Sequence, residues 1–197
     1  MKIVISESQY NRLIEAEEKP KILRFPSLEF FDEDREVAWN IIQKIIERKG
    51  NPPYSIEGDL YLAYTPIESL GNLQSVGGNL DLFDTPIKSL GNLQSVGGDL
   101  ILENTLIETL GNLQSVGGKL YLSHTKIESL DNLESVGGDL NLLGTPIRKL
   151  NDLKYVGGDI DLRSTPLGEF LKEQLPHEVL KEFRKYIDVQ GNVFYRS

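Results

Sequence analysis

The twenty residues GNLQSVGGNLDLFDTPIKSL, at positions 71–90, contain the unit from which most of this 197-residue chain is built. Their first eight letters return unchanged at 91–98 and at 111–118. Looser copies on either side bring the total to six copies of L-x-L-x-x-T-x-I-x-x-L-x-x-L-x-x-V-G-G-x, the first and last incomplete. Self-similarity at a fixed period of this length is typical of a solenoid, in which each copy forms one coil.

Apolar residues recur at six positions of each copy. In the second copy they are Leu80, Leu82, Ile87, Leu90, Leu93 and Val96. The alternation L-x-L, bounded by Gly-Gly before it and Thr-Pro after it, predicts a short strand whose leucines point inward. Six inward residues are too few for a core within one coil, but stacked coils bury them as continuous columns.

The other repeated letters predict backbone roles. The Gly-Gly pair permits either a positive φ or a close approach between neighbouring coils. A threonine column and an asparagine column are expected to bond turn backbone groups in every coil. The columns are Thr65, Thr85, Thr105, Thr125, Thr145 and Thr165, and Asn72, Asn92, Asn112 and Asn132 with Asp152.

The period and pattern resemble leucine-rich repeats, with Leu80, Leu82, Thr85 and Ile87 matching part of that motif and threonine replacing its usual asparagine. The V-G-G-x-L-x-L rhythm is also similar to receptor L-domains, and the opening MKIVISESQYNRLI to small tailed-phage proteins. The leucine-rich-repeat resemblance implies a right-handed β-solenoid. The expected fold is a repeat protein of about six coils of twenty residues with α-helical caps at both ends.

The chain divides into residues 1–55, a strand/helix cap or docking segment, 56–167, the solenoid, and 168–197, a helical cap with a short final strand. The sequence predicts a strand at 2–5, a helix at about 7–17 and an amphipathic helix at 37–46. Ala38, Ile41, Ile42, Ile45 and Ile46 are expected on the buried stripe of that last helix, with Trp39 close to it. Helices are also predicted over 167–175 and 179–187, followed by a turn at 191–192.

Composition and charge exclude several classes of function. The chain has no cysteine, which removes disulfides, thiol nucleophiles and Cys–zinc sites. Its net charge is −9, and residues 56–167 hold 15 acidic against 7 basic residues. Such a surface disfavours nucleic acid. With no apolar span or signal-like start, a cytoplasmic protein that binds no membrane is expected.

Candidate binding residues stand between the inward leucines, where the copies differ most. Because side chains alternate along a strand, these outward residues should share one exposed sheet face. Outward positions also include Ala63 and Ser123. Aromatic side chains among carboxylates suit a protein partner with a basic, partly apolar epitope, although drift between duplicated copies would also vary them. The predicted site is Tyr61, Tyr64, Asp81, Phe83, Asp99, Ile101, Glu103, Tyr121, His124, Asp161 and Arg163.

Catalytic, cofactor and metal motifs are missing from the sequence. His124 and His177 are too far apart for a metal pair, and no nucleophile elbow or phosphate loop occurs. Asp139, Asp159 and Asp161 are a minor calcium alternative. We therefore expect a protein-binding scaffold that is not an enzyme and uses no cofactor. The alternatives are a structural or virion component that docks through residues 1–55 and, more remotely, an ice-binding protein that exposes its threonines.

Overall fold

A computed structural model describes residues 22–25, 35–173, 183 and 185–195 of the chain. The described residues form two parallel β-sheets with a helix near each end, arranged as a β-solenoid. Successive copies contribute successive strands to each sheet, so the predicted solenoid is confirmed. Five complete turns of twenty residues separate the strand that begins at Leu60 from the strand that begins at Ile160.

The two sheets differ in which part of the repeat supplies their strands. Sheet A takes its strands mainly from the Ser-Val pair, and sheet B from the Leu-x pair. In spatial order, sheet A contains β1 (Leu23–Phe25), β2 (Tyr54–Ile56), β4 (Leu73–Val76), β6 (Ser95–Val96), β8 (Ser115–Val116), β10 (Ser135–Val136), β12 (Tyr155–Val156) and β14 (Asp188–Val189). Sheet B contains β3 (Leu60–Tyr61), β5 (Leu80–Asp81), β7 (Leu100–Ile101), β9 (Leu120–Tyr121), β11 (Leu140–Asn141), β13 (Ile160–Asp161) and β15 (Val193–Phe194).

Each coil thus has one more strand than the sequence predicts. The Leu-x strand is found where expected, but the Ser-Val strand is not foreseen, because its single valine is not followed by a second apolar residue in alternation as in L-x-L. The Gly-Gly pair lies between the two strands and turns the chain from sheet A into sheet B.

The core consists of stacked columns of apolar side chains. In sheet B, Leu80 pairs in register with Leu100 and Leu100 with Leu120, and all three are fully buried. Burial of a leucine side chain contributes about 1.5–3 kcal/mol relative to its exposure. Since no coil could enclose these side chains alone, the stability of each coil depends on its neighbours.

The first glycine of each Gly-Gly pair allows neighbouring coils to approach closely. A Cβ atom on Gly97 would lie 2.1 Å from the carbonyl oxygen of Gly77, and the same contact recurs at Gly117. The positive φ angles of the repeat occur elsewhere, for example at Gly71 and Gly91. Of the two roles that the sequence leaves open, close approach is confirmed.

The threonine column bonds the turn that follows sheet B, as predicted. Each Thr Oγ1 donates to the carbonyl of the leucine three residues earlier, as from Thr85 to Leu82 at 2.8 Å. All threonines of the column except Thr65 are buried. Their hydroxyls donate to backbone carbonyls within the turns. The exposed row of threonines that the ice-binding alternative requires is therefore not formed.

The prediction for the asparagine column is confirmed in part, because Asn72, Asn112 and Asn132 each bond a backbone carbonyl of the preceding turn. Asn72 Nδ2 donates to the carbonyl of Asn51 at 2.6 Å, and Asn132 Nδ2 donates to that of Gly111 at 2.8 Å. Asn92 Nδ2 instead donates to the side-chain oxygen of Asn72 at 2.9 Å. The recurrence of GNL in the sequence therefore follows from a contact between coils.

Helix α1 (Arg35–Arg48) covers the first coil. Ala38, Trp39, Ile42 and Ile46 are buried, whereas Ile41 is 43% and Ile45 36% exposed. The prediction that Ile41 and Ile45 belong to the buried stripe is wrong. A helix turns by about 100° per residue, and the bulky Trp39 ring places the buried arc on its own side.

The N-terminal cap is tied to the solenoid through Tyr54. Its hydroxyl donates to the carbonyl of Leu70 at 2.6 Å and accepts from Gln43 Nε2 of α1 at 3.1 Å. Burial raises the pKa of Tyr54. Strand β1 pairs with β2, so sheet A continues toward the N-terminus beyond the repeats.

The C-terminal residues complete one more layer of the solenoid. Helix α2 (Pro166–Glu173) leaves the last coil, and residues 183, 185 and 186 are helical. The chain then re-enters both sheets as β14 and β15, which confirms the predicted final strand. Predicted elements at 2–5 and 7–17, and most of the helix predicted at 179–187, lie outside the described residues. No helix in the described part of the chain is long and apolar enough to span a membrane.

Candidate functional site

The outward residues of sheet B form a single row. Tyr61 pairs with Asp81, Asp81 with Ile101 and Ile101 with Tyr121. The row, here called the outer column, continues through Asn141, Asp161 and Phe194. Tyr61 and Phe194 at its ends are exposed and the members between them are half-buried. The alignment expected from the repeat is therefore present.

A second exposed row, the turn column, lies three residues after the outer column. It comprises Tyr64, Asp84, Asn104, His124, Gly144 and Ser164, each with φ between 53° and 69°. This left-handed conformation suits glycine, asparagine and aspartate and is unusual for a bulky residue such as tyrosine. Tyr64 is 73% exposed, and its ring contacts that of Phe83 edge-on at 5.3 Å.

A third row, the corner column, precedes sheet B and is structural. It comprises Asp59, Asn79, Asp99, Lys119, Asp139 and Asp159. The Oδ1 atom of Asp99 accepts a hydrogen bond from the backbone N–H of Lys119 at 2.7 Å, and Asp59 does the same for Asn79 at 2.6 Å. Asp99, a predicted binding residue, therefore also joins two coils, so replacing it would perturb folding together with any binding.

Carboxylates of the outer column stabilise the turn that follows them. Asp81 Oδ1 accepts from the N–H of Phe83 at 3.0 Å, and Asp161 Oδ1 accepts from that of Arg163 at 3.1 Å. Glu103, which lies two residues after the outer column, accepts a hydrogen bond from the hydroxyl of Ser123 in the next coil. The bonds of Asp81 and Asp161 fix the direction of the chain where it leaves sheet B, whereas the bond of Glu103 joins two coils. These hydrogen bonds do not neutralise the carboxylates, so the negative charges remain at the surface.

Two residues expected to point outward are buried instead. Ala63 is 9% and Ser123 4% exposed. Both side chains are short, so neighbouring groups cover them, and the hydroxyl of Ser123 also donates to Glu103. Phe83, Glu103 and Arg163 occupy the same repeat position and do reach the surface.

Charge is distributed unevenly along this face. The first three coils carry Asp59, Asp81, Asp84 and Asp99 in these rows, Glu103 at the position two residues after the outer column, and no lysine or arginine at any of these positions. The next three carry Lys119, which pairs with Asp139 at 2.8 Å, and Arg163, which pairs with Asp161 at 2.6 Å. The face is therefore most negative over the first three coils.

The two ion pairs alter the titration of their carboxylates. The hydrogen bond from Lys119 lowers the pKa of Asp139, with a further contribution from the backbone N–H of Asp159. Burial opposes ionisation of Asp161, but hydrogen bonds and the charge of Arg163 outweigh it and lower the pKa of Asp161. Both carboxylates are consequently ionised at neutral pH.

Phe194 belongs to the site although the sequence analysis does not include it. It closes one end of an open depression of about 440 Å³ whose lining also includes Tyr121, Asn141 and Arg163. The signal was present in residues 189–195, VQGNVFY, which match V-G-G-x-L-x-L of the repeat. It is hard to see because only one glycine remains and because 33 residues, rather than twenty, separate Phe194 from Asp161.

The outer face of sheet A is plainer than that of sheet B. A shallow groove of about 450 Å³ runs over Ser75, Ser95, Ser115 and Ser135 and ends at Tyr155. Beside it, Gln94 Nε2 donates to Gln74 Oε1 at 2.9 Å. The unlike and aromatic side chains of the coils are therefore concentrated on sheet B.

Asp139 and Asp159, two of the candidate calcium ligands, each accept a hydrogen bond from the backbone. Asp139 Oδ1 accepts from the N–H of Asp159 at 2.9 Å, and Asp159 Oδ1 accepts from that of Asn192 at 2.6 Å. Within the described ranges no group of three or more metal-ligating side chains is assembled. His124 is exposed in the turn column, while His177 lies outside those ranges.

Lys119 breaks the corner column, and its replacement tests the structural role of that column. In the other coils an aspartate or asparagine oxygen accepts the N–H of the next coil, as Asn79 does for Asp99 at 2.8 Å. Lysine has no acceptor. We expect Lys119→Asn to supply the missing hydrogen bond to the N–H of Asp139 and to raise the melting temperature by about 2–4 °C.

Thermal unfolding followed by circular dichroism would measure this effect, with Lys119→Ala as the control. That variant removes the same exposed ion pair, which contributes little to stability, without adding an acceptor. If the asparagine variant melted no higher than the alanine variant, the corner column would not stabilise the coil stack.

Comparison with known proteins adds no relationship to this geometry: no protein-family model, no curated protein and no solved structure matches the chain.

Proposed function

We propose that this chain is a non-catalytic scaffold that binds a protein partner through the outer face of sheet B. The observation that carries the proposal is the outer column, in which Tyr61, Asp81, Ile101 and Tyr121 stand side by side over a repetitive framework. The framework residues hardly vary between copies, whereas the outer column presents aromatic, aliphatic and acidic groups in turn.

The mechanism is preorganisation. Backbone hydrogen bonds between coils and the side-chain bonds of Asp81, Asp99 and Asp161 hold the turns around the outer column in place before a partner arrives. Association then loses little conformational entropy on this side of the interface. Tyrosine and carboxylate groups in fixed rows suit a partner with a basic, partly apolar epitope.

The proposal also covers the class of partner and the location of the protein. The resemblance to leucine-rich repeats concerns the architecture, so the proposed binding role rests on the residues of the sheet-B face. A net charge of −9 argues against nucleic acid as the partner. We accordingly propose a cytoplasmic or virion-borne binder that needs no cofactor, is not an enzyme and does not act at a membrane.

A second candidate, a structural component that docks through residues 1–55, is favoured by one feature of α1. Val37, Ile41 and Ile45 are spaced four residues apart and are 49%, 43% and 36% exposed. They form an apolar stripe on the side of α1 opposite the solenoid. In this alternative the stripe, rather than sheet B, would contact the assembly.

Site-specific photo-crosslinking distinguishes the two candidates. Benzoylphenylalanine would replace Tyr61 or Tyr121 on sheet B, Tyr155 on sheet A, or Ile41 on α1, followed by irradiation in cells. Tyr61 and Tyr155 are a matched pair, because they are 37% and 38% exposed. Protein adducts from positions 61 and 121 are expected. Adducts from position 41 alone would favour the docking alternative, and adducts from 155 equal to those from 61 would contradict the proposal.

A further inference from the structure

Apolar side chains of the first three coils form an exposed patch at the N-terminal end of sheet B. This aromatic patch comprises Tyr61, Tyr64, Phe83 and Ile101. Tyr64 is 73% and Tyr61 37% exposed, and Phe83 and Ile101 are half-buried. The rings of Tyr64 and Phe83 meet at 64° with centroids 5.3 Å apart, so that they present a continuous apolar surface.

Tyr64 has a backbone conformation that is unusual for an aromatic residue. Its φ is +62°, a conformation that bulky residues disfavour, whereas Asn104 and Gly144 occupy the same turn in later coils at no such disadvantage. Because Tyr64 remains largely exposed, core packing does not compensate for the strain. The repeat imposes this turn in every coil, and the contact between the rings of Tyr64 and Phe83 offsets part of the cost of a bulky residue there.

Charge complementarity selects the kind of partner that fits the aromatic patch. Asp59, Asp81, Asp84 and Asp99 lie in the rows that surround it, and Glu103 occupies the same repeat position as Phe83 in the next coil. None of these five carboxylates forms an ion pair with a lysine or arginine of the described residues. In the following three coils, by contrast, two of the carboxylates of the same rows are paired with Lys119 and Arg163.

We infer that the aromatic patch binds an arginine or lysine side chain of an extended, partly apolar segment of the partner protein. This inference rests on the proposed function and names the part of the sheet-B face that carries the recognition. The cationic group would lie against the ring faces of Tyr64 and Phe83, where aromatic quadrupole and carboxylate charge both attract it. Apolar neighbours in the same segment would contact Tyr61 and Ile101.

The test is an NMR titration of the ¹⁵N-labelled full chain with a defined probe, an acetylated and amidated Arg-Leu-Arg-Leu-Arg peptide. The charge-reversed peptide Glu-Leu-Glu-Leu-Glu serves as the control probe. We expect the arginine peptide to shift amide signals around Tyr64, Phe83 and Asp84 and the glutamate peptide to leave them unchanged. Higher salt should weaken the interaction, since the charges are exposed.

Matched variants keep the left-handed turn intact. Tyr64→Asn and Asp84→Asn place in the turn the residue that already stands at 104, and each should weaken arginine-peptide binding about two- to five-fold. Ser164→Asn makes the same change in the sixth coil and should leave binding unaltered. Tyr64→Asn should be at least as stable to heat as the parent chain, because asparagine tolerates positive φ better.

The outcomes separate this inference from the proposed function. Signal changes centred on Tyr121 and Phe194 would overturn the inference and leave sheet B as the binding face. The absence of any arginine-peptide binding to the first three coils would overturn the inference as well, while the crosslinking result judges the proposed function independently. Equal weakening by Ser164→Asn, or loss of both stability and binding in Tyr64→Asn, would also overturn it.

Discussion

Gly97→Ala is expected to lower the free energy of unfolding by about 3 kcal/mol. The added Cβ would lie 2.1 Å from the carbonyl oxygen of Gly77 and 2.9 Å from its carbon. Neither side can retreat easily, because Gly77 N–H donates to Ile56 and Gly97 N–H donates to Val76, both at 2.8 Å. The coils must therefore move apart, which opens the leucine columns on both sides of the contact. Urea denaturation followed by circular dichroism would measure the loss.

A matched control for this prediction is Gly91→Asn in the same coil. Gly91 has φ +61°, but a Cβ atom there would be 3.7 Å from the nearest atom, the carbonyl oxygen of Gly71. Asn151 already occupies the equivalent position with φ +47°. We expect a change within about 0.5 kcal/mol, as for other surface substitutions. If the two variants were destabilised to a similar extent, the stability of the coils would not depend on the close backbone contact at Gly97.

Trp39→Ala is expected to destabilise the chain by about 3–5 kcal/mol. Trp39 is 3% exposed and belongs to the same core as Ile42, Ile46 and Tyr54. Without the indole ring, α1 would lose its largest contact with the first coil and leave a cavity over the end of the leucine columns. Urea denaturation followed by far-UV circular dichroism would measure the effect, since the variant has no tryptophan.

Ile41→Ala on the same helix is the control, because Ile41 is 43% exposed and should change stability by less than about 0.5 kcal/mol. The parent chain offers a second measurement, since Trp39 is its only tryptophan. If α1 is an integral cap, tryptophan fluorescence and circular dichroism should report the same transition. Equal effects of the two substitutions, or an earlier fluorescence transition, would mean that α1 is attached loosely.

Much of the sheet-B site could be predicted from the repeat period in the sequence. A period of twenty residues places Tyr61, Asp81, Ile101 and Tyr121 at equivalent positions, and stacking then sets them side by side. Local chemistry was also predictable for the threonine column, since a hydroxyl that follows a strand readily bonds a nearby carbonyl. These features depend on one copy and its immediate repetition.

Two other features of the site become visible only when the coils are stacked. Phe194 joins the outer column only because β15 pairs with β13 after an insertion that contains α2. The double role of Asp99 is equally hidden, because its acceptor oxygen meets the N–H of Lys119 in the next coil. Residues 189–195 match the repeat motif, but the separation of 33 residues between Asp161 and Phe194 hides their pairing. Asp99 and Lys119 are one period apart, but the period does not show that the side chain of one bonds the backbone of the other.

The repeated letters alone establish a solenoid with shared leucine columns, because a one-dimensional period admits only stacking as a way to bury six apolar residues per copy. The folded chain adds what depends on the distance between coils and on the ends of the stack. Close backbone approach rather than positive φ explains Gly97, the arc of α1 that faces the core leaves Ile41 exposed, and the C-terminal strand brings Phe194 to the surface row. Each of these is a matter of three-dimensional proximity, which no pattern within a single copy encodes.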